Sequence, residues 1–439
     1  MRRCRLCARG LLGALLCVPW GEVHAEDRVE TPADPSASPP GVWYEGHFYG
    51  FRGGAAESAG VVGAAVSEAD GLDCGEAADG WVEIPVASSP RFYGSAEALL
   101  GWSSGAATPV LASSSAIVPP VAAAGVLGQA STTALMGGNE TLADMQPGGR
   151  FVAGAWLDES LHSSLEASCL LLGENRARFA GGSAEYAVLA RPFFNASTGI
   201  EDARLIAYPG LVEGTLAIQS RSELQIASIA YRRVADFTPW VQADLLAGYR
   251  FARLSEGVAI AETTLGLSGP DAGVTRVTSE RVATRNAFHG GEIGLVLNHP
   301  LGPGWVLDGS ARAAVGAVQR RGRVSGSTST SAGGASASRA GGLLTQSTNL
   351  GDYRSDDFGA LSEFGVTLHR QIAPRVRLIA GYDLVLWSSV WRAAEQIDRQ
   401  VNPTQIPPGT LAGPSRPRYP ATESLVWVQG LRFGLEAKY

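Results

Sequence analysis

From Phe92 to the C-terminus the chain repeats one pattern. Segments of about ten residues alternate apolar side chains with small, polar or charged ones, as a strand does when its two faces meet different surroundings. Successive side chains of a strand point to opposite faces. In 92–102, Phe92, Ala96, Ala98, Leu100 and Trp102 share a face and Glu97 lies on the other. Phe151, Ala153, Ala155 and Leu157 oppose Arg150, and Leu165, Ala167, Cys169 and Leu171 oppose Glu166. The second half is clearer. Val241, Leu245, Ala247, Tyr249 and Phe251 oppose Asp244 and Arg250; Ile293, Leu295 and Leu297 oppose Glu292. Trp305, Leu307, Ala311, Ala313 and Val315 oppose Asp308 and Arg312; Phe364, Val366 and Leu368 oppose Glu363. Leu378, Ala380, Tyr382, Leu384 and Leu386 oppose Arg377 and Asp383, and Leu431, Phe433, Leu435 and Tyr439 oppose Arg432.

Weaker segments near 212–220, 222–234 and 257–265 bring the expected number of strands to about twelve, within a range of about 10–14, and even as bacterial barrels require. The links between segments sort by length. Short ones fall near 159–162, 253–256, 299–304 and 371–375; long ones near 103–147, 174–211, 266–284, 321–356 and 391–424; the link near 235–239 departs from the alternation. Short turns on one rim and long loops on the other are the plan of an outer-membrane barrel, and a soluble β-sandwich has no reason to sort its loops so. Aromatic residues near segment ends (Trp102, Trp240, Trp305, Trp387, Trp391, Trp427 and Tyr439) suit an interfacial girdle. The expected fold is an all-β, transmembrane, antiparallel up-and-down barrel over 91–439, with long outer loops and short periplasmic turns.

Composition supports this. Only 18% of residues are charged and 55 of 439 are glycine, a poor match to a soluble enzyme at about 25% charged. Residues 1–25 carry Arg2, Arg3, Arg5 and Arg9, then an apolar run from Leu11 to Val18, then Val23-His24-Ala25. That is the pattern of a secretory signal peptide, whose apolar run is too short to span a bilayer. Residues 26–90 hold twelve acidic and two basic residues, with many Pro, Gly and Ala; they read as a mostly disordered periplasmic linker. Charges sum to zero over the rest, so no basic surplus points to nucleic acid. The expected location is the outer membrane.

Little here suggests chemistry. Gly101-Trp102-Ser103-Ser104-Gly105 has the G-x-S-x-G form, but a Pro- and Ala-rich loop follows it where a nucleophile elbow needs a helix. Histidines are scattered without metal spacing. The mature chain keeps two cysteines, Cys74 and Cys169, which is no disulfide scaffold. The expectation is therefore a non-enzyme without catalytic, metal-binding or cofactor-binding residues. The informative set is the charges opposed to the apolar faces: Glu97, Arg150, Glu166, Asp244, Arg250, Glu292, Asp308, Arg312, Glu363, Arg377, Asp383 and Arg432. On the lipid side an Arg near the midplane costs about 2–4 kcal/mol, so these residues are expected in the lumen. Two readings stay open: a charged pore lining that tunes ion passage, or Arg–carboxylate pairs that fill a closed interior.

Several runs resemble the putative beta-barrel porin-7 family, the outer-membrane barrels typical of planctomycetes. They include Gly148-Gly149-Arg150-Phe151, Ala190-Arg191-Pro192-Phe193-Phe194-Asn195, Gly248-Tyr249-Arg250-Phe251 and Asn286-Ala287-Phe288-His289-Gly290-Gly291. The longest runs from Gly381-Tyr382 through Trp387 to Arg392, then Gln396-Ile397-Asp398 and Val401-Asn402-Pro403, and Gly430-Leu431-Arg432-Phe433-Gly434-Leu435 closes the series. The resemblance covers about 92–439 and implies a barrel, with no solute or site residue attached. The expected function is porin-like passive diffusion of small hydrophilic solutes or ions, the alternative being a closed barrel with a structural or adhesive role. Expected partners are outer-membrane lipid and the barrel-assembly machinery, engaged through the C-terminal strand ending at Tyr439.

Overall fold

The computed structural model describes residues 41–44, 47–50 and 91–439, apart from 118–119, 239–240 and 407–408. The expected signal peptide therefore lies outside the described residues. So does most of the expected linker, apart from a two-stranded hairpin that pairs Gly41–Tyr44 with His47–Gly50.

Ten strands close into a ring. They are β1 (Phe92–Ser103), β2 (Gln146–Trp156), β3 (Ser163–Leu172), β4 (Val212–Thr238), β5 (Val241–Gly266), β6 (Thr275–Gly302), β7 (Trp305–Ala332), β8 (Gly351–Ala373), β9 (Val376–Val390) and β10 (Ser424–Lys438). Each pairs antiparallel with its sequence neighbours, and β10 pairs back onto β1 from Val428↔Ser103 to Lys438↔Tyr93. Closure leaves no strand edge facing lipid, where an unpaired backbone group has no water to bond. Two more strands widen the sheet outside the ring, Asn175–Gly182 on β4 and Ala335–Ala340 on β7. Among the described residues no helix is long and apolar enough to cross a membrane.

The ring has ten strands, the low end of the expected range and two fewer than its centre, for one reason. The segments 212–220 and 222–234 are one continuous β4 of 27 residues, and 241–251 and 257–265 are one β5 of 26. No turn interrupts either: 253–256, expected as a short link, runs straight through the β4–β5 ladder as Gln225↔Arg253 to Ser222↔Glu256. With those joins removed, the link near 235–239 becomes the short turn that the alternation demands. Short connections (157–162, 303–304, 374–375, and the step from Thr238 to Val241) and outer ones then alternate.

Crossing a bilayer takes about 9–11 residues of tilted strand, and β4 to β7 have 26–28. The surplus stands on the long-loop side. Outward residues mark the boundary. On β5 they run Leu245, Ala247, Tyr249, Phe251 and then Arg253, Ser255; on β7 Ala311, Ala313, Val315, Ala317 and then Gln319, Arg321, Arg323. The apolar band therefore covers the half of the wall nearest the short turns. Exposed there are Leu245, Tyr249, Ile293, Val315, Phe364, Val366, Leu431 and Phe433.

The girdle is only partly as expected. Trp305 and Tyr439 are exposed on the short-turn rim, with Arg370 stacked 4.9 Å from the Trp305 ring. Trp387 and Trp391, by contrast, are buried inside the barrel. Trp387 shares parity with Asp383, so the pleat sends it inward.

The outer mouth is capped. Three outer links supply a small sheet in which Ile200–Ala207 pairs with Leu189–Asn195, then Ala112–Ser114, then Thr133–Met136; Gln400–Val401 joins parallel to 194–195. This cap packs Leu189, Phe193, Ile206 and Ile397 against the inward faces of the wall at Ile218, Val258, Ile260 and Val282. Below it a second apolar layer, including Leu99, Ile226, Leu254, Phe288, Trp387 and Val428, fills the barrel.

Burial sets a sharp contrast between positions of equal exposure. Phe433→Arg, on the apolar band, should cost about 2–4 kcal/mol of stability in vesicles. Ala259→Arg, outward on β5 but beyond the band, should stay within about 0.5 kcal/mol. Urea unfolding of both variants in lipid vesicles measures the difference.

Candidate functional site: a charge layer across the barrel interior

Below the apolar layers, inward positions of the strands carry charge, and the pairing register brings them to one level. Glu97 on β1 pairs with Arg432 on β10, whose Nε lies 2.6 Å from Asp383 on β9. Arg150 on β2 reaches Asp383 at 3.0 Å and Glu363 on β8 at 2.6 Å. Glu363 also holds Arg250 on β5, which donates to Glu292 on β6 at 2.5 Å. Arg312 on β7 lies 3.6 Å from Glu292 and donates to Glu166 on β3 at 2.9 Å. Glu166 accepts from Arg232 on β4 at 3.0 Å, and Arg232 ends the chain on Asp244 of β5.

Every strand of the ring contributes to this chain, and the signs alternate from end to end. Six carboxylates (Glu97, Asp383, Glu363, Glu292, Glu166, Asp244) hold five guanidiniums (Arg432, Arg150, Arg250, Arg312, Arg232). No member's side chain is more than 20% exposed. Neutral side chains tie in its edges. Thr367 accepts from Arg432 at 2.6 Å, Tyr93 donates to Glu166 at 3.1 Å, and Asn298 donates to Asp244 at 3.1 Å. Glycine makes room: a Cβ on Gly365 would sit 2.6 Å from the Asp383 carboxylate.

All twelve charges picked out from the alternation are on inward positions. Ten join this chain. Asp308 and Arg377, half-buried, form a second cluster nearer the short-turn rim, where His369 lies 2.9 Å from Asp308 and 3.3 Å from Glu436, and Arg377 lies 3.9 Å from Glu436. Arg232 was not among the twelve. It follows Ala230 at even spacing on β4, but its doublet with Arg233 hides which of the two points in.

The cap is held by further buried charge. Arg392 donates to Glu256 at 2.8 Å and to the carbonyls of Ser104 and Gly105 at 3.2 Å. Asn286 on β6 donates to the Trp391 carbonyl at 2.9 Å and accepts from its N–H at 2.8 Å. Arg320 lies 5.6 Å over the Trp391 ring, and Phe288 meets Trp387 edge-on at 6.4 Å. Segment 392–403 therefore folds into the outer mouth. Ser103, in the G-x-S-x-G run, donates to the Leu142 carbonyl and accepts from Gln146. Among the described residues no group of three or more His, Cys, Asp or Glu side chains could hold a metal ion.

The sequence model of the Putative beta barrel porin-7 (BBP7) family matches residues 93–439, the whole of the barrel and its loops. The chain belongs to this family. The family runs quoted from the sequence now have places in the porin-7 barrel. Arg150, Arg250 and Arg432 are three of the five guanidiniums of the charge layer, Asn286 and Arg392 hold the cap, and Phe288 and Trp387 lie in the apolar layer below it. No curated protein matches the chain. Among solved structures, the outer membrane protease OmpT from Escherichia coli is 9% identical at a TM-score of 0.38, covering 81% of this chain and 99% of that one. The CymD monoaromatic hydrocarbon channel is 4% identical at 0.21, covering 80% and 89%. A Pseudomonas aeruginosa FadL homologue is 9% identical at 0.21, covering 80% and 90%.

A buried ion pair broken on one side leaves a charge without compensation, at a cost of about 3–5 kcal/mol. Arg250→Met keeps volume and strips one partner from both Glu292 and Glu363, which retain Arg312 and Arg150, so it should lower unfolding stability in detergent micelles by less than that amount.

Beyond the apolar band, Arg191 of the cap sheet is buried against Glu262 at 2.8 Å and against Glu280, and Arg204 lies 3.0 Å from Glu262. Burial alone would raise the Glu262 carboxyl; Arg204 and Arg191 outweigh it and hold the group below the usual carboxylate range. A depressed folded value means the clamp's contribution is full above the unfolded value, about 4.3, and is lost as pH falls through the lowered one. The cap should resist an acid-active protease at mildly acid pH and become cleavable only in stronger acid. Glu262→Gln should remove that transition.

Proposed function

We propose that this outer-membrane β-barrel is closed at rest and serves as a structural or adhesive element of the cell surface, its wall rising above the membrane as a platform for the capped loops. One observation carries this reading: an unbroken chain of alternating charges joins all ten strands across the interior. A layer so joined leaves its members compensated by each other, whereas a conducting pore keeps charged linings hydrated and separated. The apolar layer and the cap add two further barriers above it. The strands beyond the band, the outer hairpins and the loops between them offer the surface on which partners would act. No catalytic step is assigned to the chain. We also read residues 1–25 as the export signal, and β10, with Tyr439 just after it, as the strand that the barrel-assembly machinery engages.

Passive diffusion of small hydrophilic solutes is the second reading. It is favoured by the charge that every strand turns inward, and it requires the layer to part.

Planar-bilayer recording separates the two. The natural protein should be silent, and the triple variant Arg150→Ala, Arg250→Ala, Arg432→Ala should stay silent too, because the apolar layer and the cap still close the path. Stepwise conductance from the natural protein at low voltage would overturn the closed reading.

A further inference from the structure

Just above the apolar band, three outward arginines stand side by side. Arg285 on β6 is the register partner of Arg321 on β7, and Arg321 is the partner of Arg354 on β8. All three are exposed. Directly opposed residues have Cβ atoms about 4.5–5.5 Å apart, and like charges there repel. The side chains of Arg321 and Arg354 make no hydrogen bond or ion pair with another described residue. One step further out, Arg323 lies 3.8 Å from Asp352; Asp356 is the other acid exposed on this part of the face. The face thus carries four guanidiniums against two carboxylates. Its height is fixed by what lies beneath: Ala287, Ala317 and Phe358 are the first apolar residues below the row, and Phe358 is 68% exposed. An anion meeting this row would therefore already have acyl chains against the wall below it.

From this placement we infer that the outward row of Arg285, Arg321 and Arg354 binds the phosphate-bearing headgroup of a lipid in the outer leaflet. Planar guanidiniums match phosphate oxygens in paired hydrogen bonds, and a headgroup seated between them relieves the repulsion within the row. The apolar wall beneath, with Phe358 at its edge, takes the acyl chains. A free phosphate satisfies the first requirement and not the second. The inference rests on the membrane placement of the barrel and not on whether its lumen is closed.

The full chain, reconstituted in phosphatidylcholine bilayers containing phosphatidic acid as the phosphomonoester probe, should co-purify with phosphatidic acid over phosphatidylcholine by about tenfold or more, the scale that three cations beside an anionic surface supply. Mass spectrometry of the bound lipid reads the ratio. The triple variant Arg285→Gln, Arg321→Gln, Arg354→Gln should bring it near unity. Being exposed and relieved of repulsion, that variant should fold at least as stably in a zwitterionic detergent. The corresponding triple Lys variant should keep a reduced preference. No preference in the natural protein, or an undiminished one in the Gln variant, would overturn the inference. Loss of the preference on adding millimolar inorganic phosphate at constant ionic strength would overturn the lipid assignment in favour of free phosphate. Conductance in the same bilayers reports separately on the lumen.

Discussion

The bilayer offers no partner to a lone charge or an unpaired peptide group, and that absence organises the whole molecule. Closing β10 onto β1 satisfies the backbone. Turning the charges of the layer inward satisfies the rest. Once the charges face each other across a ten-stranded ring, the space is small enough for opposite signs to meet directly. The same requirement that keeps Arg and Glu out of the lipid therefore builds the layer that closes the interior.

Closure at this layer changes what the rest of the barrel is for. Above it, the inward positions no longer need to line a water path, and many turn apolar: Leu254 and Val258 follow Arg250 on β5, and Phe288 and Val282 precede Glu292 on β6. Those residues bury a sheet made from three separate loops, so the long outer links become part of a core. Buried ion pairs such as Arg392–Glu256 and Arg191–Glu262 hold these loops where backbone pairing with the wall runs out. The strands of 26–28 residues follow from this as well, since a cap of this depth needs a wall around it.

The alternation in the sequence located the strands and their two faces because lipid imposes the rule on each strand separately. It was weakest where the lipid ends. Beyond Phe251 both faces of β5 meet protein or water, the outward face loses its apolar signal, and one long strand reads as two with a turn at 253–256. The same loss split β4 and raised the count from ten to about twelve. Trp387 and Trp391 illustrate a second kind of failure: a tryptophan near a strand end suits an interface or a core equally well, and only the pleat direction separates them.

The sequence alone determined that the chain is a membrane-spanning β-barrel, which residues turn inward, and which rim carries the long loops; each of these follows from a local, period-two contest between oil and water. Only the tertiary structure decided which charge meets which. That Arg150 lies between Glu363 and Asp383, or that Arg321 stands between Arg285 and Arg354, depends on the register of strands far apart in the chain and on the width of the closed ring. No local pattern encodes either quantity.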